Sequence, residues 1–235
     1  MPAYRRILLK LSGEALAGEA GFGLDRVRCS EIAAEIAAVV QQGAQVALVV
    51  GGGNFFRGIK ADKTGLQRVT VDRMGMLATT INALAMTDLL IAGGVGAETM
   101  SAVAMGPLAP PVDRGRALEL LNAGKVVVFA AGTGNPYFST DSAAALRAIE
   151  IEADVLAKAT KVDGVYDKDP VLHPDARRYE KISYAEVLEK DLAVMDAAAI
   201  ALCRDARMPV LVFNLNEDGS IGRASRGEQS GTLMT

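Results

Sequence analysis

The chain has 235 residues, half of them hydrophobic, and a formal net charge of −3. That is enough apolar material for one large domain or two small ones, and it argues against disorder. The charges are interspersed, with no basic stripe or polybasic tail, which argues against a general nucleic-acid or membrane-surface binder.

Taken in chain order, Arg5 and Arg6 precede ILLKLSG. The apolar run is too short, and too soon interrupted by Lys10, for a signal peptide. No stretch approaches about 18 unbroken apolar residues, so no membrane span is expected. Arg6–Leu11 reads as a strand, and Lys10 within it allows two readings. Either its ammonium snorkels from a strand edge, or it stands at a strand end to meet an anion. Asp25 caps a helix running to residue 42, with Ile32, Ile36, Val39 and Val40 at helical spacing and Gly43 closing it. Gln45–Val50 is a second strand. A long helix over 71–91 carries Met74, Leu77, Ile81, Leu84 and Leu89. A helix over 116–122 ends at Gly124, and strands follow at 125–130, 154–158 and 210–213. Ser183 and Glu186 form a capping box that opens a helix to about residue 192. Strands without polar alternation, separated by helices, predict an α/β fold with a mainly parallel sheet covered on both faces. With no linker or repeat, residues 1–235 are expected to form one domain. The two cysteines, Cys29 and Cys203, have neither disulfide nor zinc spacing and point to a reducing cytoplasm.

In sheets of this kind ligands bind beyond the carboxyl ends of the strands. Four loops fall there. Lys10, Leu11, Ser12 and Gly13 make the first. The second, GGGNFFRG, follows VALVV; its glycines Gly51, Gly52 and Gly53 free backbone N–H groups for an anion, and Arg57 adds a guanidinium fork. The third, GTGNPYFSTD, follows VVVFAA, and its Thr140 or Asp141 can cap the next helix. The fourth, TKVDGVYDKDP, offers a flat aromatic, Tyr166, in a turn-rich segment that on its own reads as a surface turn. The sequence lacks G-x-x-x-x-G-K-[ST], a G-x-G-x-x-G after the first strand, and the H-R-D and D-F-G pair. The lone His173, bounded by proline, leaves a Ser-His-Asp triad without its residues.

Together KLSGEAL, GGGNFFRG, DRMGMLATTINALAM, AGTGNPYFSTDSAA and KATKVDGVYDKDP, in this order, resemble the amino acid kinase family, and within it the bacterial uridylate kinases. The likeness extends through VMDAAAIALCRD and MPVLVFN to GTLMT. It implies a three-layer αβα sandwich that transfers a phosphoryl group from ATP to UMP with Mg²⁺, as a cytoplasmic homohexamer activated by GTP and inhibited by UTP. By the same resemblance Lys10, Leu11, Ser12, Gly13, Gly53, Arg57, Thr160, Tyr166 and Asp169 are expected on the ATP side. Gly52, Asp72, Thr133, Gly134, Asn135, Pro136, Tyr137, Phe138, Ser139 and Thr140 are expected on the UMP side. Gly18, Glu19, Ala20, Gly21, Phe22 and Gly23 match the stretch associated with GTP activation.

Chemistry then assigns roles. A nucleoside monophosphate, with a second pKa of about 6, is already a nucleophile at neutral pH, so no general base is required. The difficulty is repulsion between two anions, which Lys10, Arg57, glycine N–H groups and Mg²⁺ are expected to offset. Asp141 is expected to orient Lys10 or hold magnesium through water, Asp196 to share that work, and Asp72 to accept from ribose hydroxyls. No dedicated metal-ligand cluster is expected. The alternatives are another amino acid kinase, acting on acetylglutamate, carbamate or aspartate, and a nucleotide-sensing or nucleic-acid-binding protein on the same fold. The suitability of Asp72 and GTGNPYFST for a nucleotide weighs against the first. Lys10, Arg57, Asp141 and the net charge weigh against the second.

Overall fold

A computed structural model describes residues 2–56, 65–192, 194–228 and 231–235. Arg57, expected in the site, lies outside them. Strands β1 (Arg6–Leu11), β2 (Gln45–Val50), β3 (Ala97–Ser101), β4 (Val126–Ala130), β5 (Val155–Thr160), β6 (Lys181–Ile182), β7 (Val210–Asn214) and β8 (Gly231–Met234) join one sheet in the order β3-β4-β2-β1-β5-β7-β8-β6. Every pairing is parallel except that of β7 with β8. The helices are α1 (Arg26–Gln41), α2 (Arg68–Ala92), α3 (Arg114–Asn122), α4 (Thr140–Glu150), α5 (Tyr184–Glu189), α6 (Ala197–Ala206) and α7 (Ser220–Ser225).

Side chains alternate across each strand, and the alternation sorts the core into two layers. Ile7, Leu9 and Leu11 of β1 join Val46, Leu48 and Val50 of β2 under α1, α2 and α7. Leu8, Ala47, Val49 and Leu156 face α3, α4, α5 and α6. The expected αβα sandwich is therefore what forms. Lys10 has the parity of Leu8 and Lys158 that of Leu156, so both lysines lie on the α4 side of the sheet.

Asp25 caps α1 through the Arg28 N–H at 2.8 Å, and the Ser183–Glu186 capping box is present. Differences from expectation have local causes. Strands β6 and β8 go unread because they are short, at two and four residues, and β3 because AETMS mixes polar residues into its five positions and offers no apolar run. The capping-box helix stops at Glu189, and Asp191 beyond it takes φ +48°. Among the described helices, α2 is long and apolar enough by length and composition to cross a membrane, where no span was expected. Its Ala83, Met86 and Leu90 instead sit in the sheet's core.

Candidate active site

Lys10 and Lys158 are register partners on the adjacent parallel strands β1 and β5. Both are buried. Neighbouring strands are only about 4.8 Å apart, so two ammonium groups on one face need a shared counter-ion. Asp141, in the first turn of α4, supplies it: Oδ1 lies 2.7 Å from Lys10 Nζ and Oδ2 lies 2.7 Å from Lys158 Nζ. Lys158 also donates to the Val194 carbonyl. Burial pushes the Asp141 carboxyl up, but the two lysines outweigh it and hold the group below the usual carboxylate range. Burial pulls the Lys158 ammonium down, aided by the charge of Lys10 and opposed by Asp141.

Asp141 is free for this because neither it nor Thr140 caps α4. That role falls to Ser139, whose Oγ accepts from the Asp141 and Ser142 N–H groups at 2.9 and 3.1 Å. Asp196 acts one step back. It caps α6 through the Ala199 N–H at 2.9 Å and accepts from the hydroxyls of Ser142, at 3.0 Å, and Ser139. Its carboxylate fixes the start of α4 without bonding Lys10.

Two cavities adjoin the cluster. The smaller, about 520 Å³, is lined by Gly52, Asp72, Thr133, Asn135, Phe138, Ser139 and Thr140 of the expected set. Phe56, Val71, Gly75, Met76, Thr79 and Gly132 complete it. Asp72 accepts from Arg68 Nε and from the Tyr137 N–H, each at 2.8 Å. Gly134, Pro136 and Tyr137 do not line it. A Cβ on Gly134, at φ +79°, would stand 2.8 Å from the Ala102 carbonyl, and the exposed Tyr137 ring lies under the Arg68 guanidinium. The larger cavity, about 1100 Å³, includes Lys158, Thr160, Tyr166 and Asp169. Tyr166 donates to Asp163, which raises its phenol pKa, and Asp169 Oδ1 accepts from the Val171 N–H at 2.8 Å.

Between the cavities, Ser12 caps a 3₁₀ turn over Gly13–Leu16. A Cβ on Gly13 would stand 2.6 Å from the Gly51 carbonyl oxygen and 2.7 Å from the Gly53 nitrogen, so only glycine permits this approach. The buried Leu11 ends β1. Gly18, Glu19 and Ala20 form a 3₁₀ turn, while Gly21 and Gly23 have positive φ. This segment rests against the glycine turn: the Gly23 N–H donates to the Asn54 carbonyl at 3.1 Å, and Phe22 meets Phe55 edge-on.

Lys158 was missed as a site residue, although a lysine interrupts VLAKAT just as Lys10 interrupts ILLKL. Among the described residues, no group of three or more His, Cys, Asp or Glu could hold a metal ion. Cys29 and Cys203 are buried free thiols, and burial pushes the latter's pKa up to about 12.

A model of the amino acid kinase family matches residues 5–214. A protein named uridylate kinase from Vibrio vulnificus is 54% identical over 234 residues, covering 100% of this chain and 97% of its own. Another of that name, from Aeromonas salmonicida, is 55% identical, covering 99% and 96%. The solved UMP kinase of Bacillus anthracis superposes with a TM-score of 0.96 at 39% identity, covering 100% and 97%.

Proposed function

The chain belongs to the amino acid kinase family, and on that premise we propose that this cleft transfers the γ-phosphoryl group of ATP to UMP, giving UDP and ADP. One observation carries the reading: the Lys10–Asp141–Lys158 cluster adjoins both cavities. Lys158 lines the larger, and Thr140, next to Asp141, lines the smaller. ATP takes the larger, with Thr160, Tyr166 and Asp169 at its nucleoside. UMP takes the smaller, with Asp72 toward the ribose and the loop of residues 132–140 toward the uracil.

The UMP phosphate attacks the γ-phosphorus in line, the bond to the ADP oxygen breaks, and no proton need leave the nucleophile. The ammonium groups of Lys10 and Lys158 meet the charge on the transferring oxygens, and Asp141 holds both lysines on target. The backbone N–H groups of Gly13, Gly52 and Gly53 close over the phosphates, while that of Gly51, expected to be free as well, is held by the Leu11 carbonyl at 2.9 Å. Asp196 positions α4 and hence Asp141. Mg²⁺ bound with ATP would supply charge neutralisation at the phosphates, and the residues that hold those phosphates, Lys10, Lys158 and the glycine-turn N–H groups, would hold it indirectly.

The same reading includes a homohexamer in the cytoplasm, activated by GTP and inhibited by UTP. Exposed Met74, Leu77, Ile81, Leu84 and Ile91 along α2 support self-association, and the buried thiols support a reducing compartment. One sheet with strands drawn from Arg6 to Met234 supports a single domain over 1–235. The test is ADP production with UMP, CMP, aspartate and acetylglutamate as acceptors, together with light scattering. Turnover of an amino acid but not UMP overturns the reading. A monomer at working concentration, or GTP merely competing with ATP, overturns the hexamer or the activation.

A further inference from the structure

We propose that the Asn54–Asn82 side-chain pair is a positioning device, which sets how the glycine turn of residues 51–53 faces the transferred phosphoryl group and ties that setting to the segment of residues 18–24. The inference rests on the phosphoryl-transfer reading of the cleft.

Both side chains are buried, Asn54 at 1% exposure and Asn82 at 0%. A buried amide is costly unless its groups are bonded, and these two bond each other. Asn82 Nδ2 donates to Asn54 Oδ1 at 2.7 Å, and Asn54 Nδ2 returns a bond to Asn82 Oδ1 at 2.9 Å. The remaining donors reach outward in opposite directions. Asn82 Nδ2 donates to the Gly51 carbonyl at 2.7 Å, and Asn54 Nδ2 to the Gly23 carbonyl at 2.7 Å. All four N–H groups are thereby used. Gly23 answers with its own N–H on the Asn54 carbonyl.

Neither asparagine lines the two cavities, so substrate contact does not account for them. Packing leaves the turn no slack. A Cβ on Gly13 would stand 2.5 Å from Asn54 Oδ1, and one on Gly52 would stand 2.8 Å from the Ala78 Cβ. The turn is wedged between the exit of β1 and α2, and the amide pair is its inner support. A displacement at Gly23 therefore reaches Gly51 through two side chains in direct contact. Phe22, whose ring is largely exposed, rides on the same segment.

The chain has no tryptophan, so Phe22→Trp gives a single reporter on the segment. Adding UMP with a non-hydrolysable ATP analogue is expected to change its emission. Asn82→Ala in that background is expected to abolish the change and to lower kcat about 10- to 100-fold, with KM for either nucleotide moving less than about threefold, the pattern of mispositioning rather than lost binding. Asn54→Ala keeps the Asn82–Gly51 bond, so it is expected to lose the emission change while lowering kcat less than about tenfold. It carries the test if Asn82→Ala does not fold. Folded Asn82→Ala with kcat within twofold of the parent, even at a lower melting temperature, overturns the proposal. So does an emission change that persists in either variant. A parent protein that binds both nucleotides but does not phosphorylate UMP would instead overturn the functional reading, while the emission arm still reports the coupling.

Discussion

The two cavities beside the lysine cluster are held open differently. Around the smaller, the shaping bonds span the chain: Tyr137 N–H to Asp72 crosses 65 residues, Ala131 N–H to Thr79 crosses 52, and Ser139 to Asp196 crosses 57. Four residues of its loop, Ala131, Gly132, Gly134 and Tyr137, have positive φ, a conformation that persists in alanine and tyrosine only where surroundings enforce it. Around the larger, the turn that carries Tyr166 is shaped locally, Tyr166 with Asp163 and Asp169 with Val171, although the residues beneath it are braced across the chain, Val165 N–H to Thr232 over 67 residues and Lys158 to Val194 over 36. Long flexible Lys168 and Lys190 complete that wall. A pocket braced by tertiary bonds keeps fixed donors and acceptors and can reject a near-isostere, whereas one shaped by turns adapts. Selectivity is therefore expected on the acceptor side and tolerance on the donor side.

The sharpest test of that contrast is base choice. UMP is expected to exceed CMP in kcat/KM by roughly 10⁴, because a site built around hydrogen bonds leaves its own groups unpaired with the wrong edge. Changing the donor base is expected to cost far less. Equal values for UMP and CMP would break the comparison.

Next in size is Asp141→Asn, which touches both cavities through the shared counter-ion. It leaves two buried ammonium groups facing a neutral amide, for a loss of about 3–5 kcal/mol in unfolding free energy. The sign with pH follows from the lowered carboxyl pKa. The folded state favours the ionised form, so this stabilisation is present above the unfolded value of about 3.9 and is lost as pH falls through the folded value. Melting curves from pH 6 to pH 2 are expected to fall more steeply for the parent than for the variant. In activity the variant is expected to lose kcat far more than it raises either KM, with no shift of an acid limb.

Lys10→Ala is expected to fold and to lose roughly 10²–10³ in rate, about 2.7–4 kcal/mol, as for loss of one charge-stabilising donor. Retention of more than about a tenth of the activity would remove Lys10 from the phosphate site. Asp72→Asn keeps one acceptor for two donors, so kcat/KM for UMP is expected to fall about tenfold, or 1.4 kcal/mol, with KM for ATP unchanged. An equal change in both nucleotides would show that the two pockets are not braced independently. The smallest effect is expected from Tyr166→Leu, a few-fold rise in KM for ATP alone, because this half-buried side chain bonds only within its own loop.

Much of this was legible in the chain itself, for a physical reason: periodicity and local chemistry are written residue by residue. The unalternated runs of β2, β4 and β7 announced a sheet covered on both faces. Asp25 and the Ser183–Glu186 pair announced helix starts, and the glycine turns announced backbone left free for an anion. Each depends on neighbours within a few positions. What the tertiary structure alone decided was which distant groups meet. Lys158 became the partner of Lys10 only when β5 took its register beside β1. Asp141 became their counter-ion only because Ser139 relieved it of capping α4 and Asp196 steadied Ser139. Asn54 and Asn82, 28 residues apart, became a closed pair only when α2 packed under the glycine turn. Periodicity carries no signal for such meetings, because it records which face a residue occupies and not what the opposite element brings to it.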